Sequence, residues 1–419
     1  MSFIGVGVLI LLAVLLSSNR RAIKLQTVGG AFLLQAGVGA FALYVPWGQT
    51  TLAAISNTVS SLQDYANEGI SFLFGPLASE KMFEVFGHQG FVFAIKVLPL
   101  IVFFSSFIAI LYYLGVMNVI IRVIGGALHR ILGTSRTESM SATANIFVGQ
   151  SEAPMVVRPF LASMTRSELF AVMAGGLASV AGSVLIGYAS LGIELKYLIA
   201  ASFMAAPGGL LMAKLMEPET HLPHDDPSCV EVYPEDKPAN VIDAAALGVS
   251  NGLHLALNVG AMLLAFIALI AMLNGILGWC GAWFGLPHLS MQLILGHLFA
   301  PLAFLIGVPW SEATVAGGFI GEKLVLNEFV AYVDFAAYID PVQAASKGVS
   351  VLSAHTQVIV TFALCGFANL SSIGIILGGL GVMAPSRRKD LARMGLRAVT
   401  AGTLSNLMSA ALAGVFISL

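Results

Sequence analysis

Apolar residues gather along the chain in long runs, separated by short joints of polar, Gly and Pro residues. A helix needs about 20 apolar residues to cross a hydrocarbon core roughly 30 Å thick. Runs that reach or approach that length fall at 2–18, 28–46, 92–115, 169–190, 196–214, 248–276, 358–383 and 397–418. Two other stretches do not fit the pattern. Residues 139–168 are interrupted by "NIFVGQSEAP" (145–154), and residues 312–348 contain "GEKLVLNEFVAYVDF". Both place amides and carboxylates where an ordinary membrane helix has none. Residues 290–309 are long enough to cross but read as interfacial, or as one arm of a folded-back element. Residues 47–91 suit an external segment with an amphipathic interfacial helix. The acidic, Pro-rich stretch 215–247 suits a solvated cytoplasmic linker.

Basic residues orient the spans. "NRRAIK" (19–24) follows the first run and "SRRKDLARMGLR" (386–397) precedes the last, so both belong in the cytoplasm by the positive-inside rule. Eight crossings with both termini outside satisfy both clusters. That arrangement puts 15 of the 20 Lys and Arg residues inside, leaving Lys81, Lys96, Lys196, Lys323 and Lys347 outside. A full crossing by 139–168 would turn every later loop over, so this segment is expected to enter and leave from the cytoplasmic side. Segment 312–348 then does the same from outside, and the two units are inverted. The expected fold is an all-α polytopic membrane protein of about eight transmembrane helices plus two re-entrant helical hairpins in inverted repeats. Residues 1–138 and 248–311 are expected to be mainly scaffold, 139–215 and 312–419 a transport domain, and 216–247 a linker. Paired interrupted segments in inverted halves point to a secondary transporter with its site near the midplane. Irregular backbone survives at that depth only against protein or a water-filled cavity.

Composition agrees. Hydrophobic residues make up 58% of the chain and charged residues 10%, against roughly a quarter charged in soluble domains. A net charge of -2 argues against a nucleic-acid partner. Cys229, Cys280 and Cys365 are scattered and outline neither a disulfide framework nor a zinc site. No HExxH, GxSxG or P-loop occurs, so an enzyme is not expected.

The polar residues inside apolar sequence carry the candidate chemistry. A carboxylate at membrane depth costs about 2.5–3.5 kcal/mol on insertion scales unless it is paired or wet. Glu152 and Glu328 are therefore either ligands for a substrate or structural caps for broken helices. Asn369 and Ser372, three apart with Phe367 just before them, would share a helix face. Ser179 and Ser183 repeat the theme four apart, and interhelical bonding is the competing role for all of these. Asn145 and the carbonyls of Val148 and Val180 are hard oxygen donors suited to Na+. His254 is either a proton-relay group or, as the commoner case, a packed residue.

At "NIFVGQSEAP", "NEFVAY" (327–332) and "CGFANLSSIGI" (365–375) the chain resembles the concentrative nucleoside transporter family in its short bacterial form, over nearly its whole length. The resemblance implies a homotrimer in the bacterial inner membrane, with lipid around it and both termini periplasmic. It implies that Gln150, Ser151 and Glu152 bind the nucleobase, with Gly149 and Val184 shaping that side. Phe367 would touch base and sugar, and Glu328, Asn369 and Ser372 would hold the ribose. A transported Na+ would lie on Asn145, Ser179 and the carbonyls of Val148 and Val180. The implied activity is Na+-coupled import of nucleosides such as uridine, other pyrimidine nucleosides or adenosine. Proton coupling and a passive channel are the alternatives.

Overall fold

The computed structural model describes residues 1–79, 81–86, 91–223, 238–286 and 288–419, and among these every regular element is a helix. Residues 224–237 of the acidic linker, Cys229 among them, lie outside the described residues. The chain opens with α1 (Ser2–Leu15), α2 (Leu25–Leu43), the long α3 (Pro46–Phe74) and the short α4 (Lys81–Phe86) and α5 (Phe93–Lys96). It continues through α6 (Leu98–Tyr113), α7 (Val116–Leu132), α8 (Arg136–Ala144), α9 (Arg166–Ala178), α10 (Gly182–Ala189) and α11 (Leu195–Met216). The second half has α12 (Val241–Ala282), α13 (Met291–Leu305), α14 (Trp310–Val325), α15 (Glu328–Ala336), α16 (Pro341–Lys347), α17 (Ala354–Leu364), α18 (Ser371–Met383) and α19 (Arg388–Ser418).

Among the described residues, six helical segments are long and apolar enough to cross a membrane. They are α2, α5 with α6, α9 with α10, α11, α12, and α19 with the turn before it. The other two expected spans differ for identifiable reasons. Residues 2–18 form only the 14-residue α1. Residues 358–383 are two shorter helices, α17 and α18, separated at 365–370. The run 169–190 is also divided, since Ser179 leaves the helical region with φ −107° and ψ 172°. Residues 290–309 fold back, with α13 and α14 meeting at 116°.

Contacts at the two ends of the bundle show the inversion. The basic loops meet at one end, where Arg397 Nη2 donates to Leu16 O at 3.2 Å and Met216 O at 2.8 Å. The first hairpin has both feet there. Its inbound arm α8 is tied through Glu138 to Lys214 at 2.6 Å, and Arg387 Nη1 donates to Met164 O beyond its return arm. The return arm, Ala153–Phe160, is 3₁₀-like rather than α-helical, with Pro154 at its start and Pro159 inside it; neither can donate to a helical ladder. The second hairpin, α14 and α15, has its feet at the other end. There Glu312 accepts from Ser353 N at 2.9 Å, and the turn after α13 packs on α1 at Ser2 and Gly5.

Burial divides the helices. The apolar windows of α9–α10 and α11 are 94% buried, whereas that of α12 is 17% buried and presents a hydrophobic surface. At about 1.5 Å per residue, the 42 residues of α12 extend roughly 63 Å, twice a hydrocarbon core. Its Gly248 and Gly252 lie directly on α6 at Ser106 and Ser105, and Ser106 Oγ donates to Ala245 O at 3.0 Å. Small residues four apart let the two backbones touch.

The two broken spans cross in the interior, where Phe367 N donates to Ser179 O at 3.1 Å. One side chain from α19 secures both. Asn406 Nδ2 donates to Ala178 O at 2.6 Å and to Cys365 O at 2.9 Å, while its Oδ1 accepts from Lys323 Nζ at 2.7 Å. A Cβ on Gly366 would run into this amide. Lys323 is thus a buried internal donor and not one of the outer-loop charges that the orientation count made it. Replacing Asn406 by Leu strands two buried carbonyls, each worth about 1–3 kcal/mol when left unsatisfied, and takes one of two acceptors from Lys323. The Asn406→Leu variant is expected to unfold several degrees lower in detergent, read by thermal melting; an unchanged transition would show that water replaces the amide.

Candidate substrate and cation site

The apex of each hairpin lies against the break of the span that follows it. Gly182 N donates to Phe147 O at 3.0 Å in the first unit, and Leu370 N donates to Leu324 O at 3.1 Å in the second. Each apex therefore ends where a helix has been interrupted, which brings side chains from both halves together.

The sequence turns α14 into α15 through Asn327, whose Oδ1 accepts from Val330 N at 2.9 Å and caps α15. That cap sets Glu328 at the first helical position, buried to 5% exposure. Asn369 does not share a helix face with Ser372. It lies in the break, and its Oδ1 accepts from Ser372 N at 2.8 Å and Ser371 Oγ at 2.7 Å, so it caps α18. The three-residue spacing came from a capping turn and not from a helix. Ser179 and Ser183 likewise stand on opposite sides of a break, one ending α9 and the other in the first turn of α10.

A continuous hydrogen-bonded chain links the apices. Gln150 Nε2 donates to Ser372 Oγ at 3.2 Å, and Ser372 joins Asn369 through the cap. Asn369 Nδ2 donates to Glu328 Oε2 at 2.9 Å, and Tyr188 OH from α10 donates to Glu328 Oε1 at 3.1 Å. Gln150, Glu328, Asn369 and Ser372 are thus brought together, with Tyr188 as a fifth member. The buried Gln150 Oε1 keeps an unused acceptor. Phe367 is half-buried in the same break, Ser151 faces Gly379 of α18, and Val184 is buried in α10. Such a row of amide, hydroxyl and carboxylate groups can pair a neutral ligand with several donors and acceptors.

Glu152 stands apart from this row. It is exposed to a cavity of about 300 Å³ between the first hairpin and the α6–α12 pair, with Tyr112, Asn118, Ser183 and Asn251 also on the wall. Gly149 N approaches it only at 3.5 Å. His254 is exposed on α12 and belongs neither to this row nor to the wall of the cavity beside Glu152.

The cation candidates meet at the first apex. Asn145 caps the end of α8 and is buried to 1% exposure, beside Gly175 and Gly176 of α9. Neither atom of its amide has a hydrogen-bond partner. A buried amide left open in this way is costly unless something else meets it. Ser179 Oγ donates to Gly175 O at 3.0 Å, which leaves its lone pairs free. The carbonyls of Val148 and Val180 lie in the adjoining irregular backbone and accept no backbone hydrogen bond among the described residues. Oxygen donors and a helix C-terminus suit a monovalent cation; no cluster of metal-binding acids, His or Cys occurs among the described residues.

Three residues were missed from the sequence: Tyr188, Lys323 and Asn406. The last two stood out as polar groups in apolar runs. Tyr188 gave no signal, because a tyrosine in an apolar span reads as packing.

Comparison with known proteins identifies the chain's relatives. Residues 4–77 match the N-terminal and 197–414 the C-terminal part of the Na+ dependent nucleoside transporter family, and residues 94–194 match a domain described as nucleoside recognition. Nucleoside permease NupC of Helicobacter pylori is 52% identical over 420 residues, covering 100% of this chain and 98% of the relative. Human solute carrier family 28 member 3 is 38% identical over 422 residues, 100% of this chain and 60% of that protein. Among solved structures, CNTnw in an inward-facing substrate-bound state is 60% identical, with a TM-score of 0.95 over 100% of this chain and 97% of the other. A CNTnw variant in an outward-facing state, also 60% identical, has a TM-score of 0.96 over 100% and 98%. The chain belongs to the Na+ dependent nucleoside transporter family, whose members are permeases and not enzymes.

Proposed function

We propose that this protein is a Na+-coupled symporter that imports nucleosides such as uridine by alternating access. The observation that carries the reading is the junction of two inverted hairpins. A hydrogen-bonded row from Gln150 to Tyr188 lies beside a buried amide, Asn145, that has no protein partner. In this reading Gln150, Ser151 and Glu152 take the base edge, with Gly149 and Val184 against it, Phe367 packs on the nucleoside, and Glu328, Asn369 and Ser372 take the ribose hydroxyls. Asn145, Ser179 and the carbonyls of Val148 and Val180 take Na+. A nucleoside brings no charge, which fits a row without a strongly basic side chain; phosphates would call for Arg or Lys. The gap in the row at Gln150 and Ser372 is then closed by a direct bond that substrate would replace.

The same reading places the protein in a bacterial inner membrane as a homotrimer with periplasmic termini. The periplasmic termini are supported by the meeting of both basic loops at one end, with Ser2 beside Gly414 at the other, and the trimer and the membrane rest on the family resemblance. Purified protein in liposomes is expected to concentrate radiolabelled uridine under an imposed Na+ gradient. Accumulation driven only by a pH gradient would select proton coupling, and equilibration without accumulation would select a channel.

Glu328→Gln and Asn369→Ala are expected to abolish uptake in folded protein, since each breaks the row at its centre. Tyr188→Phe removes one donor to Glu328 and keeps the ring packing. It should raise KM about tenfold, the equivalent of roughly 1.4 kcal/mol for one charge-assisted hydrogen bond. Asn145→Ala should instead raise the half-saturating Na+ concentration by about tenfold, the loss of one ligand interaction worth ~1.4 kcal/mol, with little change in KM measured at saturating Na+. Equal shifts in both parameters would argue against separate sites.

A further inference from the structure

Lys323 takes no part in the proposed site, yet it is 3% exposed at the heart of the bundle. Its Nζ donates to Ala363 O at 2.8 Å and to Asn406 Oδ1 at 2.7 Å. Both acceptors are neutral, so this is not an ion pair, and an ammonium at such depth is expensive. The two inverted units supply a reason for it.

In the first unit the inbound arm α8 ends at Asn145, next to the final turn of α9, and the Asn145 amide is left open. In the second unit the inbound arm α14 carries Lys323 in its final turn, and the ammonium rests on Ala363, one residue before α17 ends. The backbone bonds that fasten each apex to its break, Gly182 to Phe147 and Leu370 to Leu324, correspond as well. Helix C-termini carry partial negative charge, and two of them converge here on the same Asn406 amide, through Ala178 O and Cys365 O. At the end of α9 open oxygen ligands face the junction. At the end of α17 a positive group is already in place, held on a side chain.

We propose that the Lys323 ammonium is a tethered cation that does in the second unit what the transported Na+ does in the first. The transporter therefore moves one Na+ per nucleoside, because the second of two related cradles is filled from within. The idea rests on the Asn145 cation site proposed above and adds the reason for its stoichiometry.

The test is the Na+ dependence of uridine uptake in liposomes for wild type, Lys323→Gln and Lys323→Ala. Wild type should show a Hill coefficient of about 1, and the variants should move toward about 2 as Na+ enters the vacated cradle, since the coefficient is bounded by the number of sites. Radioactive Na+ counted per uridine should rise about twofold with it, as a second site predicts. Where a variant folds without transporting, its unfolding temperature is read in Na+ against choline. Extra stabilisation by Na+ beyond that of wild type supports the proposal, and stabilisation equal to wild type overturns it. Variants that transport with wild-type Na+ order and stoichiometry overturn it too, as does a wild-type coefficient near 2. Wild-type uptake that ignores Na+ altogether would overturn the function proposed above and this inference together, whereas Na+-coupled wild type with unaltered variants removes only the role of the lysine.

Discussion

Backbone polar groups have to be satisfied wherever a helix is broken away from water, and the architecture follows from how that is done here. Two spans are interrupted, at 179–181 and 365–370, and each interruption releases carbonyls and N–H groups in an apolar interior, where an unmet group costs about 1–3 kcal/mol. The structure meets them with one another and with a few side chains. Phe367 N binds Ser179 O, and the Asn406 amide spans Ala178 O and Cys365 O. Each hairpin apex supplies one more backbone partner. Around the first apex this bonding leaves open the Asn145 amide, Gln150 Oε1 and the carbonyls of Val148 and Val180, and in the second unit the buried Glu322 carboxylate is also without a hydrogen-bond partner among the described residues. The openings at the first apex coincide with the place where ligands would bind in the proposed site, so there breaking a helix and building a site go together.

Much of this was legible from the chain. The apolar runs located the spans, and the two polar interruptions located the hairpins. Basic clusters at 19–24 and 386–397 correctly placed two distant loops at one end, which Arg397 joins physically. The failures have a common physical source. Hydropathy measures how apolar a stretch is and is blind to whether its ladder is continuous, so 358–383 reads as a plain helix and 169–190 as a single span whose break shows only in the candidate ligand carbonyl of Val180. Spacing arguments then inherited the error, because Asn369 and Ser372 are three apart in a capping turn as readily as on a helix face. Lys323 counts as a loop charge only if every charge faces water, and this one is bonded to Ala363 O inside. Tyr188 was invisible because its role depends on where Glu328 is brought by the other half of the chain.

Inverted repeats usually invite a reading as two equal halves, and the differences between these halves are more informative. The return arm of the first hairpin is a proline-bearing 3₁₀ stretch, whereas α15 is a regular α-helix capped by Asn327. The first apex exposes Glu152 to a cavity, and the second buries Glu328 under a tyrosine and an asparagine. The first carboxylate therefore meets a cavity, while the second is buried and held by two hydrogen bonds. A carboxylate in each setting has different work available to it: an exposed one can exchange water for a ligand, and a buried one can fix the geometry of its neighbours.

The same asymmetry bears on which surface moves. Glycines 248 and 252 lock α12 onto α6 at backbone distance, and Ser106 adds a hydrogen bond across that crossing. A pair so closely joined resists sliding, because any shift meets backbone rather than flexible side chains. Between that pair and the first hairpin there is instead a cavity of about 300 Å³ with an apolar lining from Phe147, Met155 and Ile108. The hairpin, α9, α11 and α19 on its far side are bound to one another through Lys214, Glu217, Arg397 and Asn406. In the alternating-access cycle proposed above, displacement that opens one end and closes the other would be cheapest along the cavity, with the bonded core passing the α6–α12 pair as a body. A broken-helix site would suit such motion, since ligands on elements that travel together would keep the geometry of the site at each end.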